Sequence, residues 1–422
     1  MYKKHKLSNG LKLITTPLKE TKAVTVLVLV NVGSRHEAKQ INGVSHFVEH
    51  LLFKGTNKRP TSLDITKELD AVGAEYNAFT SKDHTGYYIK AAAEKIELAF
   101  DILSDMIFNS SFNPVEINKE RGVILEEINM YNDNPLMNLG SLFEATVFNG
   151  HPLGWQIAGP KSVIKNVTRN QLVSYKKKFY QPNNMLISVS GNFNQEKVRK
   201  LTQKYFGQKS QSTINKALAK IAIKQTAAQI NLNYKNTTQV QLGLGFPAFS
   251  SKHPKIYPQY LLSVILGGNM SSRLFSVVRE QHGLAYYVRT DISAYQDHGA
   301  FMVQAGLDKS RLFKAIKLIL SELKKVKEKG VTEKELSDAK EFLKGKIILE
   351  LEDSEHLADW FGKQELLLGK ITTPEERIKK IMSIKKSEVD KVAQEILLEN
   401  KINLALIGPF KEKKDIAKIL KI

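Results

Sequence analysis

Hydrophobic positions along the chain change period more than once. The segments LKLITTPL, AVTVLVLVNVG and TGYYIKAAA are β-rich, and Val24 to Val32 is apolar nearly throughout. A strand with no polar face is expected inside a sheet covered on both sides. Elsewhere the pattern follows the 3.6-residue period of amphipathic helices, as in the stretch that continues HTGYYIKAAA into EKIELAFDIL. Long helices after pairs of strands predict an α+β fold, with mainly antiparallel sheets packed with helices.

The same pattern is written twice. NVTRNQLVSYKKKFYQPNNMLISVSGNF (Asn166 to Phe193) aligns without gaps on SIKKSEVDKVAQEILLENKINLALIGPF (Ser383 to Phe410). Val167 pairs with Ile384, Leu172 with Val389, Tyr175 with Val392 and Phe179 with Ile396, and both strands end in a glycine, Gly191 and Gly408. A second match, from His84 and from His298, has nearly the same offset. Two matches in one order predict a duplicated domain. The polar stretch Gln208 to Thr226 between them reads as a linker. The expected organisation is therefore residues 1–207, a linker over 208–226, and residues 227–422.

Composition narrows the classes. The chain of 422 residues is 42% hydrophobic and 25% charged, as in ordinary globular proteins, and has no cysteine. Disulfides and thiolate metal sites are excluded. No apolar run reaches the roughly 20 residues of a membrane span, and the basic N-terminus lacks the apolar core of a signal peptide. The expectation is a cytoplasmic protein without a membrane partner. The formal charge of +20 raises the question of nucleic acid. The lysines are scattered among glutamates at helical spacing, as in SELKKVKEKGVTEKELSDAKEFLKGK, which is the pattern of solvated helix faces. No nucleic-acid partner is expected.

The candidate chemistry lies in SHFVEHLLFKGT. Val44 to Phe53 suits a helix, with Asn42 or Ser45 as its cap. His46 and His50 stand at i and i+4, so both imidazoles leave one face at neighbouring heights, as two ligands of one Zn²⁺ must. Glu49 can lie beside the metal without ligating it and take a proton from water. Two surface histidines on a helix would look the same, so a third ligand is needed. In NKERGVILEEINMYNDNP, Glu120 and Glu127 are seven apart on one helical face with Ile124 between them, while Glu126 points about 100° away. Glu127 is the third-ligand candidate, and Glu120 a carboxylate that orients a ligating histidine.

GSRHEAKQINGVSHFVEHLLFKGT, then YNAFTSKDHTGYY, ERGVILEEI, GHPLGWQIAGP and NMLISVSGNF, occur in an order that resembles the pitrilysin/insulinase (M16) family of inverted-motif zinc peptidases. The resemblance covers essentially the whole chain and is strongest to half-length bacterial members related to the mitochondrial processing peptidase β subunit. It implies His46, His50 and Glu127 as ligands of one zinc per chain, Glu49 as general base and Glu120 behind the ligands. It also implies an arginine–tyrosine pair in GGNMSSRLFSVVREQHGLAYYV, mapping to Arg279 and Tyr286, with Tyr287 the alternative tyrosine. A guanidinium and a phenol are suitable donors to a substrate carbonyl or oxyanion. Asn77, Ala78 and Phe79, in NAFT, match the family's substrate-binding edge strand, which would hold an extended peptide through its main chain.

The resemblance further implies a dimer enclosing a chamber, with itself or with a paralogue, and peptide substrates. The expected activity is a zinc endopeptidase on oligopeptides or unfolded peptides, with a processing peptidase of one dedicated substrate as the alternative within that class. Two other classes stay open: a non-catalytic structural subunit, and a binder of anionic surfaces suggested by charge alone.

Overall fold

A computed structural model describes residues 2–208 and 224–422. The linker expected over 208–226 lies mostly outside the described residues. The first sheet contains β1 (Lys3–Lys6), β2 (Lys12–Pro17), β3 (Ala23–Val30), β4 (Glu75–Thr80), β5 (Thr85–Ala92) and β6 (Met185–Gly191). Their order is β1-β2-β6-β3-β5-β4, antiparallel except for the β2/β6 pair. The second sheet contains β7 (Gln229–Tyr234), β8 (Gln239–Ala248), β9 (Ala285–Ala294), β10 (Gly299–Asp308) and β11 (Asn403–Gly408). It runs β7-β11-β8-β10-β9, again with one parallel pair, β7/β11. The fold is the expected α+β arrangement. The repeat read from sequence superposes helix Arg169–Phe179 and β6 on helix Lys386–Ile396 and β11.

The all-apolar segment at Val24 becomes β3, flanked by β6 and β5, and it is covered on both faces. Val24, Val26, Val28 and Val30 join the larger core with Phe47, Phe100 and Leu172 from three helices. Leu27 and Leu29 face the other way, into a smaller core with Ile14 and Leu186. Alternation of side chains along a strand produces this division.

By packing, the chain forms two compact units that do not follow its halves. One takes the chain up to Ile128, resumes at Trp155, and includes Ile348–Thr373; the other holds Asn129–Gly154 with the rest of the second half. In the first unit, helix Ser354–Leu368 lays Leu357, Ala358 and Phe361 on Ile14, Leu27, Leu29 and Leu186. Gly362 lets it approach: a Cβ there would stand 2.9 Å from Leu29 Cδ1. Asp353 caps this helix through the Glu355 amide and receives Lys90 Nζ at 2.7 Å. In the second unit, helix Pro135–Val147 lays Leu139, Phe143 and Val147 on Ala300, Met302, Ala405 and Ile407. Each sheet is thus covered on one face by a helix encoded in the opposite half. No helix among the described residues is long and apolar enough to cross a membrane.

Candidate metal centre

The histidine-bearing helix spans Val44–Leu52 and buries Phe47, Val48, Leu51 and Leu52. Its start differs from the sequence expectation, because neither Asn42 nor Ser45 caps it with a side chain. Gly43 precedes it at φ 104°, a left-handed conformation that glycine adopts without cost. The cap is a carboxylate from upstream. Glu37 is buried, and its Oε2 accepts from the Gly43 amide at 2.7 Å and from Asn42 Nδ2 at 2.8 Å. Its Oε1 accepts from the Ser45 amide at 2.6 Å. An acceptor placed here satisfies otherwise orphaned helix N–H groups. Burial pushes the Glu37 carboxyl up, against the hydrogen bonds from Asn42 and Ser45 that pull it down.

On the opposite face His46 and His50 meet Glu127, carried by helix Pro114–Asp133. His46 Nε2 and His50 Nε2 are 3.3 Å apart, and Glu127 Oε2 lies 3.5 Å from the first and 3.6 Å from the second. Ligand bonds of about 2.0–2.1 Å put tetrahedral ligand atoms about 3.3–3.4 Å from one another. The three atoms therefore fit a zinc ion, with two nitrogens and one carboxylate oxygen as the donor set. Among the described residues no other group of three such side chains converges in this way.

Glu120 lies two helical turns before Glu127, with buried Ile124 between them, while Glu126 is exposed as its angle on the helix requires. Glu120 Oε2 is 3.0 Å from His50 Nδ1, and its Oε1 takes Lys54 Nζ at 2.8 Å. A proton held on Nδ1 by this contact leaves Nε2 as the lone-pair donor. Burial opposes ionisation of Glu120, but the bonds from His50 and Lys54 outweigh it and hold the carboxyl below its usual range.

In the metal-free protein the two imidazoles are pushed apart. Burial, then the charge on His50, lowers His46 to about 4. Burial also works against charge on His50, but Glu120, Glu127 and Glu49 carry it up to about 9. Glu49, half-buried on the same helix, is raised by burial, and the Thr80 hydroxyl that donates to its Oε2 works in the other direction.

Beside the histidines opens a cavity of about 360 Å³ lined by Glu49, His50, Phe53, Lys54, Tyr76 and Ala78, among others. Its far wall is β4, which pairs with β5 on one side and forms the edge of the sheet. Asn77 is exposed there, its Oδ1 accepting from the Ala78 amide at 2.9 Å. Phe79 packs edge-on against His84 at 5.6 Å.

Arg279 and Tyr286 belong to the second unit, and the structure brings them to each other. The guanidinium carbon lies 5.8 Å from the Tyr286 ring centre and 4.8 Å from that of Phe275. Tyr286 is 78% exposed, whereas the neighbouring Tyr287 hydroxyl is engaged with Gln241. Arg279 sits in a π-helical turn, Phe275–Gln281, a local irregularity that often marks functional segments.

Residues 13–161 match the family Insulinase (Peptidase family M16), and residues 166–343 match the Peptidase M16 inactive domain. The chain is 36% identical to the Bacillus subtilis protein named uncharacterized zinc protease YmxG, over 97% of this chain and 98% of that one. It is 36% identical to an uncharacterized zinc protease of Mycobacterium leprae, over 99% of this chain and 94% of that one. Among solved structures, a protease from Helicobacter pylori superposes with a TM-score of 0.90 at 27% identity, covering 96% of this chain and 99% of that one.

Proposed function

Because this chain belongs to the M16 peptidase family, we propose that it is a zinc-dependent endopeptidase acting on oligopeptides or unfolded peptides. The observation that carries the reading is the convergence of His46, His50 and Glu127 within 3.6 Å of one another, with Glu49 on the same helix. Zinc held there would acidify a water and polarise the scissile carbonyl. Glu49 takes the proton of the attacking water and returns it to the leaving amine, as a carboxylate raised by burial is suited to do. An extended peptide adds to the free edge of β4 at Asn77, Ala78 and Phe79, so that the main chain supplies affinity without demanding a sequence. Arg279 and Tyr286 donate to the carbonyl oxygen as negative charge develops on it.

A chain with one such centre works as a dimer around a closed chamber, formed with a second copy or with a paralogue. The description of residues 166–343 as an inactive domain suits a second half without an H-x-x-E-H string. It leaves the first half as the catalytic one.

The test is a mass-spectrometric digest of a diverse peptide library by wild type and by Glu49→Gln, with zinc content and solution mass measured on the same samples. Wild type cleaves and Glu49→Gln does not, while both hold one zinc per chain. A zinc-loaded wild type that cleaves nothing, or a Glu49→Gln variant that still cleaves, overturns the reading.

A further inference from the structure

We propose that Thr80 is a positioning residue of this reaction, its hydroxyl fixing the Glu49 carboxylate in the orientation from which one oxygen exchanges the proton. The inference rests on the peptidase reading and adds to it a residue outside the zinc motif.

Glu49 leaves its helix in a half-buried setting, and a glutamate has three rotatable bonds between backbone and carboxylate. Among the described residues it receives one hydrogen bond, from Thr80 Oγ1 to Oε2. A hydroxyl facing a carboxylate must donate, so this contact favours the ionised form and occupies Oε2. Oε1 is left as the oxygen available to water. The other hydroxyls acting on Glu49, Tyr87 and Tyr180, do so at longer range and bond to each other at 2.7 Å.

Thr80 is anchored by its place in the sheet. It ends β4, where it stands opposite Thr85 in the register with β5. The turn beyond it is closed by Ser81, whose amide donates to the His84 carbonyl at 2.8 Å and whose hydroxyl meets His84 Nδ1 at 2.8 Å. Thr85 in turn donates to the Val32 carbonyl at 2.8 Å. The strand offered to the substrate backbone is thus the strand that holds the base. A peptide seated on β4 and the proton acceptor share one rigid reference, which is how a catalytic group is kept in near-attack geometry.

The test compares wild type, Thr80→Val and Thr80→Ser by kcat and KM on a quenched fluorescent peptide, by zinc content, and by a crystal structure of zinc-loaded Thr80→Val. Valine keeps the shape and removes the hydroxyl. Its kcat is expected to fall about 10- to 100-fold, the scale of losing alignment of one catalytic group. Its KM stays within about twofold and its zinc content is unchanged, because what fails is alignment rather than binding or metal retention. Serine restores the hydroxyl and with it kcat to within about threefold of wild type, the test that separates hydroxyl from shape. In the Thr80→Val crystal Glu49 leaves its wild-type rotamer.

Wild-type kcat in Thr80→Val, an equal fall in Thr80→Ser, or a loss carried by KM overturns the inference. If zinc-loaded wild type cleaves no peptide, the peptidase reading fails by itself. The rotamer of Glu49 in the Thr80→Val crystal then decides the positioning claim, and an unmoved carboxylate rejects it.

Discussion

Glu120 Oε2 lies 3.0 Å from Nδ1 of His50, on the side of the ring away from Glu127. The contact leaves Nε2 as the nitrogen free to face a metal. Replacing such an outer carboxylate typically costs 10- to 100-fold in metal affinity. Glu120→Gln is therefore expected to bind zinc about 10- to 100-fold more weakly in a chelator competition, with an unchanged circular dichroism spectrum. Equal affinity would show that the imidazole is oriented without it.

The pair Tyr286 and Tyr287 offers an internal control. Tyr286 is exposed beside Arg279, while the Tyr287 hydroxyl is spent on Gln241. Removing a donor to a developing oxyanion costs about 10²- to 10³-fold at most. Tyr286→Phe should lower kcat/KM by one to three orders of magnitude with zinc retained. Tyr287→Phe should change kcat/KM less than threefold and lower thermal stability instead. A reversed result would move the assignment to Tyr287.

Acid should destabilise the first unit through His84. The ring is buried, with Nδ1 against the Ser81 hydroxyl, and burial followed by the Lys363 charge lowers it to about 3. In the unfolded chain it protonates near 6.5. Between these values the unfolded state binds the extra proton. The stability contributed by the neutral ring is thus complete above pH 6.5 and is lost as pH falls toward 3, by about 1.4 kcal/mol per pH unit. His84→Gln should show a shallower fall of melting temperature between pH 6.5 and pH 4.5 than wild type. Parallel curves would refute the assignment.

The exchanged helices make a prediction about fragments. Residues 1–208 alone leave Ile14, Leu27, Leu29 and Leu186 without Leu357 and Phe361 above them. Expressed alone, this fragment should be insoluble or bind hydrophobic dyes. Co-expressed with residues 224–422, it should be recovered as a soluble complex on size-exclusion chromatography. A soluble, cooperatively melting 1–208 would refute this.

Legibility from sequence followed how local the physics was. The members of the His46, His50 and Glu127 cluster were legible in part, because helix periodicity sets His46 beside His50 and Glu120 in line with Glu127, while the pairing of the two helices rested on the family resemblance. The strand at Val24 was legible because a residue run with no polar face has one stable environment. The helix start was not. Its cap is Glu37, a residue ahead of the helix whose side chain turns back onto Gly43 and Ser45, and no short spacing rule reports such a return. Lys54 and Thr80 were hidden for a similar reason. Each acts on a carboxylate far away in sequence, Glu120 or Glu49, and only tertiary folding brings them together.

Helices Pro135–Val147 and Ser354–Leu368 occupy matching places in the two repeats, and each covers the sheet of the opposite one. The midpoint of the gene is therefore no seam along which genetic modules can be traded. A recombination event there would join a sheet to a stranger and strip it of its own cover, so the two repeats can be shuffled into another protein only together. The halves are similar in sequence but form one indivisible heritable unit.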